Sequence, residues 1–435
     1  MKILNKIFGV GIVVIVLVTI IITREHVDDY FESSFNVESN SAILNKYTIY
    51  GRIFNMEGSL VGDFNDEKIK SVSLVLHRGE ETDIFLNTQY EINESDITFS
   101  TSNKINEGIV LDNIEIGNYY ILLRIDYRDA SSKYYNLENN TGYGNLDYYS
   151  ITNNGQNKYI TIKFINVFKD ASFTKFMNID VIYRPLPKEV YDIVIDPGHG
   201  GIDPGAVVGS VKEAPMVLEI STQLKEMLER EGYKVKLTRT GDYNPGGDGI
   251  DAYYPDGRVN IPNNVRAKYI FSIHLNSAPY KMRKGGVEIY APNNADLTLA
   301  KTLADNIVKY AKTTYSPNTT DKKMKGVYVR TYTDDDLEYI EKQAKLYNFI
   351  PYDVPLSTPY HYIIRETGGI NTNAINDGRN PKYGRNLHYN SNIGAEGYLV
   401  ELGFLVNDND RHNLINNKRG YAIGLTRGIM EYLNK

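Results

Sequence analysis

The chain has no cysteine and no tryptophan in its 435 residues. Without cysteine there are no disulfides, thiolate metal sites or thiol nucleophiles, so any metal must rest on histidine and carboxylate ligands. A dense Lys/Arg block is also missing. The 48 basic residues are set against 54 acidic ones, for a net charge of −6. That balance leaves no electrostatic footprint for nucleic acid, and DNA or RNA is excluded as an expected partner. The length exceeds one ordinary compact core, and two globular parts are expected.

One long apolar run is present. Lys2 and Lys6 precede Ile7 to Ile22, which is close to the length needed to cross a hydrocarbon core. Thr23, Arg24, Glu25 and His26 follow, with no small-x-small cleavage pattern and no lipobox cysteine. The run therefore reads as an uncleaved signal anchor with the two lysines in the cytoplasm, a cleaved signal peptide being the alternative, and either way the rest of the chain would lie outside the cytoplasm. Residues 1–25 are assigned to the cytoplasmic tip and transmembrane anchor, and 26–46 to a linker.

From Tyr47 to Tyr183 short alternating or apolar runs, among them Val72–His77, Tyr119–Tyr127 and Tyr159–Phe164, are separated by polar turns. This is the pattern of an all-β, sandwich-like domain over 47–183. No acid, base or metal cluster occurs in it, so it is expected to be dispensable for chemistry. His77 has no partner motif and reads as a structural histidine. Two prolines in Arg184-Pro185-Leu186-Pro187-Lys188 mark a linker over 184–189.

Beyond it, strand and helix patterns alternate: Tyr191–Asp196, Tyr233–Thr238, Lys268–Leu275 and Gly286–Ala291 as strands, Pro215–Glu231 and Ala295–Tyr310 as helices. An α/β layered domain is expected over 190–435. Asp410 to Leu433 reads as one last helix, with Gly420, Gly424 and Gly428 letting its backbone sit close against the sheet.

Two strands end in histidine. Ile195-Asp196-Pro197-Gly198-His199-Gly200-Gly201 runs from a buried strand into a Gly/Pro turn, and Ser272-Ile273-His274-Leu275-Asn276 closes a second strand. Strand carboxyl ends are where open α/β sheets place ligands. Glu213, at the mouth of the helix after the first loop, adds a carboxylate. His199, Glu213 and His274 thus make the two-imidazole, one-carboxylate set of a catalytic zinc site with an open position. Glu401 lies amid Leu, Val and Phe at a strand end, where burying a carboxylate is costly unless it has a task or a partner.

In order and context these residues resemble the zinc N-acetylmuramoyl-L-alanine amidases of amidase type 3. The resemblance runs through Ile195–Ala206, Glu213, Leu237-Thr238-Arg239, Arg258 with Asn263, Ser272–Asn276, and Glu401-Leu402-Gly403-Phe404 with Asn407. It covers Val190 onward and does not extend to the β domain. By it, His199, Glu213 and His274 would bind one zinc ion and Glu401 would be the catalytic acid/base, with Asp196 and Asp203 open between ligand support and turn roles. The expected architecture is a mixed sheet flanked by helices, preceded by the β domain and the anchor. Two departures stand out. Pro262 replaces the family's usual Ala before Asn263, and extra material lies near 322–359 and 368–395. The insertions could line the substrate cleft, recruit a protein regulator or occlude the site.

The resemblance implies cleavage of the amide between N-acetylmuramic acid and L-alanine of the peptidoglycan stem by zinc-activated water, on the wall side of the membrane. A zinc peptidase acting elsewhere on the stem is one alternative, although helical His-Glu-x-x-His ligand pairs are absent. A non-catalytic wall-binding protein with an amidase-like fold is the other.

Overall fold

A computed structural model describes residues 37–79, 81–150, 157–169, 172–247, 256–278, 284–348, 356–368 and 392–434. The expected anchor at Ile7–Ile22 and much of the second insertion lie outside them. Among the described residues no helix is long and apolar enough to cross a membrane.

The N-terminal part is all β. Its longest strands are Gly117–Tyr127, Lys158–Lys169 and Ser172–Tyr183, the last two paired in antiparallel register along their full length. Alternation along Gly117–Tyr127 sends Ile121, Leu123 and Ile125 into the main core of this domain and Tyr120 and Leu122 into a smaller cluster on the other face. His77 is structural as expected, with Nδ1 2.8 Å from Asp83 Oδ1 and Asp83 also bound by Arg124 and Tyr134.

The C-terminal part is built on a six-stranded sheet. Its strands are β1 (Ile193–Pro197), β2 (Val235–Leu237), β3 (Tyr269–Asn276), β4 (Glu288–Tyr290), β5 (Val327–Tyr328) and β6 (Glu396–Phe404). The order is β2-β1-β3-β6-β4-β5, and β4 runs antiparallel to β6 while the other pairs are parallel. The sheet is therefore mixed, as expected. The helices are α1 (Glu213–Arg230), α2 (Asn260–Asn264), α3 (Thr298–Ala311), α4 (Asp334–Tyr347), α5 (Tyr362–Thr367), α6 (Asp408–Asn416) and α7 (Lys418–Leu433).

Strand periodicity gives the two sheet faces different work. Ile193, Ile195, Phe271, Ile273, Tyr398, Val400 and Leu402 share one core with the apolar sides of α1, α3 and α7. The opposite face starts apolar, with Val194, Ile270 and Leu399 against Ile363 and Ile364 of α5. Further along the same face it turns polar, because Asp196, Ser272, His274 and Glu401 continue it at period two.

Three local expectations need correction. α1 begins at Glu213, two residues before Pro215, because proline is tolerated throughout a first turn whose N–H groups have no intrahelical acceptor. The last helix is two helices, broken at Asn417, which is both the end of α6 and the start of α7. Gly424 and Gly428 approach α3, not the sheet: a Cβ at Gly424 would lie 2.6 Å from Ile307 Cα, and one at Gly428 2.9 Å from Leu303 Cα.

The two parts are interlocked. Ile393–Gly394, just before β6, pairs in parallel with the β-domain strand Ala42–Tyr50. Ile105 N donates to Asn294 O at 2.8 Å, and Asn106 side chain and Asp296 backbone exchange two hydrogen bonds.

Candidate active site

The turn after β1 is forced by its residues. His199 has φ +59°, which side chains other than glycine rarely adopt, and two buried arginines hold the backbone there. Arg239 donates to the carbonyls of Pro197, Gly198 and Ala214 at 2.9, 2.8 and 2.7 Å. Arg258 donates to Pro197 O at 2.8 Å and to His199 O, and is paired with Asp196 at 2.5 Å. The Arg258 guanidinium, with Thr238 and Ser272 donating to the same carboxylate, keeps Asp196 below its ordinary range although burial opposes this. Asp196 thus supports the loop and does not touch a histidine. Asp203 does: its Oδ2 is 2.7 Å from His199 Nδ1, which turns Nε2 toward the site.

Three ligand atoms converge. Glu213 Oε1 lies 3.0 Å from His199 Nε2 and 3.1 Å from His274 Nδ1, and the two imidazole nitrogens are 3.1 Å apart. Glu213 is oriented by Leu275 N on Oε1 and Ala206 N on Oε2, each at 2.8 Å. Burial alone would raise its pKa, but the two histidines hold it well below the carboxylate range. The cradle leaves no room for extra atoms: a Cβ at Gly205, where φ is +67°, would lie 2.6 Å from both Glu213 Oε2 and His199 Cδ2, and one at Gly198 would overlap the His274 ring. Two nitrogens and one oxygen facing a common point, with His199 and His274 about a fifth exposed, fit a zinc ion with an open position. This is the one group of its kind among the described residues.

Glu401 lies in register between His274 on β3 and Glu288 on β4. Residues directly opposite one another in a sheet put their side chains on the same face. Burial pushes the Glu401 carboxyl well up, and the charges of Glu213 and Glu288 add to this. Its Oε2 is buried and has no hydrogen-bond partner. Glu288, fully buried, is the opposite case: Asn276 and Tyr290 donate to Oε2 at 2.7 and 2.8 Å, Ser316 and Asn318 to Oε1 at 2.5 and 2.7 Å. The sequence alone singled out neither Glu288 nor His361. The alternation placing Glu288 on the face of Glu401 was legible once the two strands were paired, but the pairing itself was not.

Residues 193–342 match the family described as N-acetylmuramoyl-L-alanine amidase. The match lies within the α/β domain. The germination-specific N-acetylmuramoyl-L-alanine amidase of Bacillus subtilis (strain 168) is 31% identical over 153 residues, 33% of this chain and 62% of that protein. The sporulation-specific N-acetylmuramoyl-L-alanine amidase of the same organism is 41% identical over 87 residues, 20% of this chain and 31% of its own length. The chain thus spans less than two thirds of the length of these relatives. Among solved structures, N-acetylmuramoyl-L-alanine amidase AmiC2 of Nostoc punctiforme aligns over 57% of this chain and 98% of its own, at 21% identity and a TM-score of 0.37.

Proposed function

We propose that this protein is a zinc-dependent peptidoglycan hydrolase that cleaves the amide between N-acetylmuramic acid and L-alanine of the stem peptide. The observation that carries the reading is the row His274, Glu401, Glu288 across three strands, with the unpartnered Oε2 of Glu401 beside the converging His199, Glu213 and His274. Zinc held by those three residues would supply Lewis-acid polarisation of the amide carbonyl and activation of the attacking water.

The side chains do the rest. Asp203 keeps a proton on His199 Nδ1 and so presents Nε2 as a donor atom. Glu401 accepts the proton of the attacking water at Oε2 and returns it to the leaving nitrogen. The anionic Glu213 and Glu288 oppose ionisation of Glu401, and a dication among the ligands offsets that field. The apolar run Ile7–Ile22 supports a single-pass anchor with the catalytic domain on the wall side. The β domain and the insertion near 322–359, which carries α4, would then set placement or regulation.

Digestion of purified wall by the zinc-loaded chain tests the reading, with products identified by mass spectrometry. Free stems with N-terminal L-alanine are expected. Cleavage within the stem would instead indicate a peptidase, and no cleavage a wall-binding protein.

A further inference from the structure

Beyond Glu288, the wall of the site continues into the insertion. Tyr290, two residues along β4 on the same face, donates its hydroxyl to Glu288. The His361 ring packs edge-on against Tyr290 with centroids 4.4 Å apart, and against Tyr360 at 5.4 Å. Arg330 lies over the other aromatic of this group, its Cζ 3.8 Å from the centroid of Tyr360. The backbone fixes the arrangement, since Tyr360 N donates to Arg330 O at 2.9 Å and Tyr332 N to Thr358 O at 3.1 Å.

Two polar groups in this wall are under-used. A guanidinium carries five N–H donors. Among the described residues Arg330 makes one hydrogen bond, 2.9 Å to Asp336, and its side chain is 36% exposed. His361 Nε2 is buried without a hydrogen-bond partner, and His361 stays uncharged because burial, then the cationic Arg330, pull its pKa down to about 3. A neutral imidazole can donate from Nε2, and a guanidinium stacked on a tyrosine presents a pre-set planar fork. Together they match one acceptor chemistry, a carboxylate.

We propose that Arg330 and His361 form a subsite for a carboxylate of the stem peptide, on the Glu288 side of the reaction centre. The inference rests on the amidase reading for the identity of the ligand. In the bound state Arg330 keeps its bond to Asp336 and gives its free edge to the carboxylate, while His361 Nε2–H donates the second bond. Glu288, whose oxygens already accept four hydrogen bonds, offers a carboxylate no donor, so the same wall sets the direction in which the stem lies.

Equilibrium binding to the zinc-loaded full chain decides it, using two soluble muropeptides that differ only in having their stem carboxylates free or converted to primary amides. The free acid should bind on the order of 10-fold more tightly, the usual worth of hydrogen bonds to a charged group. Arg330→Gln should bring that preference close to one, and His361→Phe, which keeps a ring against Tyr290, should reduce it part of the way. Arg330→Lys, which keeps the charge and loses the fork, is the second variant if the Gln protein does not fold, and should lose most of the preference. Equal or undetectable binding of both muropeptides by the unsubstituted protein overturns the subsite, as does a preference that survives Arg330→Gln. Turnover measured on the same samples separates the two proposals. Discrimination in binding without cleavage counts against the amidase reading alone, and cleavage without discrimination against the subsite alone.

Discussion

Asn106 of the β domain donates a 2.9 Å hydrogen bond to Oε1 of Glu396, the fully buried first residue of the strand that carries Glu401. Tyr398 donates to the same oxygen at 2.5 Å. The two domains are therefore joined at the root of this strand, five residues from the proposed base.

Removing the β domain should destabilise the amidase domain. A fragment beginning at Lys188 exposes Glu396 and loses the strand that pairs with Ile393–Gly394. Within the full chain, Asn106→Ala should cost about 1–3 kcal/mol, because it leaves the N–H and carbonyl of Asp296 without their partner, while Glu396 Oε1 keeps Tyr398 as a donor. Denaturant unfolding of the variant measures this, and an unchanged midpoint would show that the contact contributes nothing.

Glu396 also gives the interface a pH dependence. Burial, in which Tyr398 and Asn106 act in the opposite sense, raises its pKa to about 7. The folded state then binds its proton more tightly than the unfolded chain does, so this contribution is fully present below pH 4.5 and is lost as pH rises through 7. It amounts to on the order of 3 kcal/mol. Glu396→Gln mimics the protonated form. Unfolding free energies from about pH 5 to 8 should fall less steeply for the variant than for the unsubstituted protein, whereas parallel curves would remove Glu396 as the cause.

Asp203 supports His199 through an exposed side chain, so its loss should spare the fold. Asp203→Ala is expected to weaken zinc binding by about 10–100-fold, the usual effect of removing a ligand's hydrogen-bond partner. Competition with a chelator reads the affinity directly. An unaltered affinity would return Asp203 to a turn role, through its 3.0 Å bond from Gly205 N.

Much of the site was legible because its signals are local. His199 and His274 each close an apolar strand, and Glu213 starts an amphipathic helix whose Val217, Ile220, Leu224 and Leu228 are all buried. The sheet order was not legible, and neither were the contacts it creates. Glu288 is close to Glu401 only because an antiparallel strand lies beside β6, and Glu396 meets Asn106 across 290 residues of sequence. Arg239 stood in a recognisable motif, but its bonds to the carbonyls of Pro197, Gly198 and Ala214 become visible only when the loops of β1 and α1 are folded over it. The last helix misled for a local reason. Asn417 interrupts a run that otherwise reads as continuous, and it donates to Ala311 O at the end of α3 at 2.9 Å.

Glu401→Gln tests the mechanism most directly, because it keeps the shape of the side chain and removes its ability to accept a proton. Zinc content, thermal midpoint and muropeptide cleavage should be measured on one preparation. Zinc is expected to stay bound, since Glu401 is not among the three converging ligands, and turnover should fall on the order of 10²–10⁴-fold. A zinc-loaded Gln variant that cleaves muropeptide at the full rate would contradict the role assigned to Glu401.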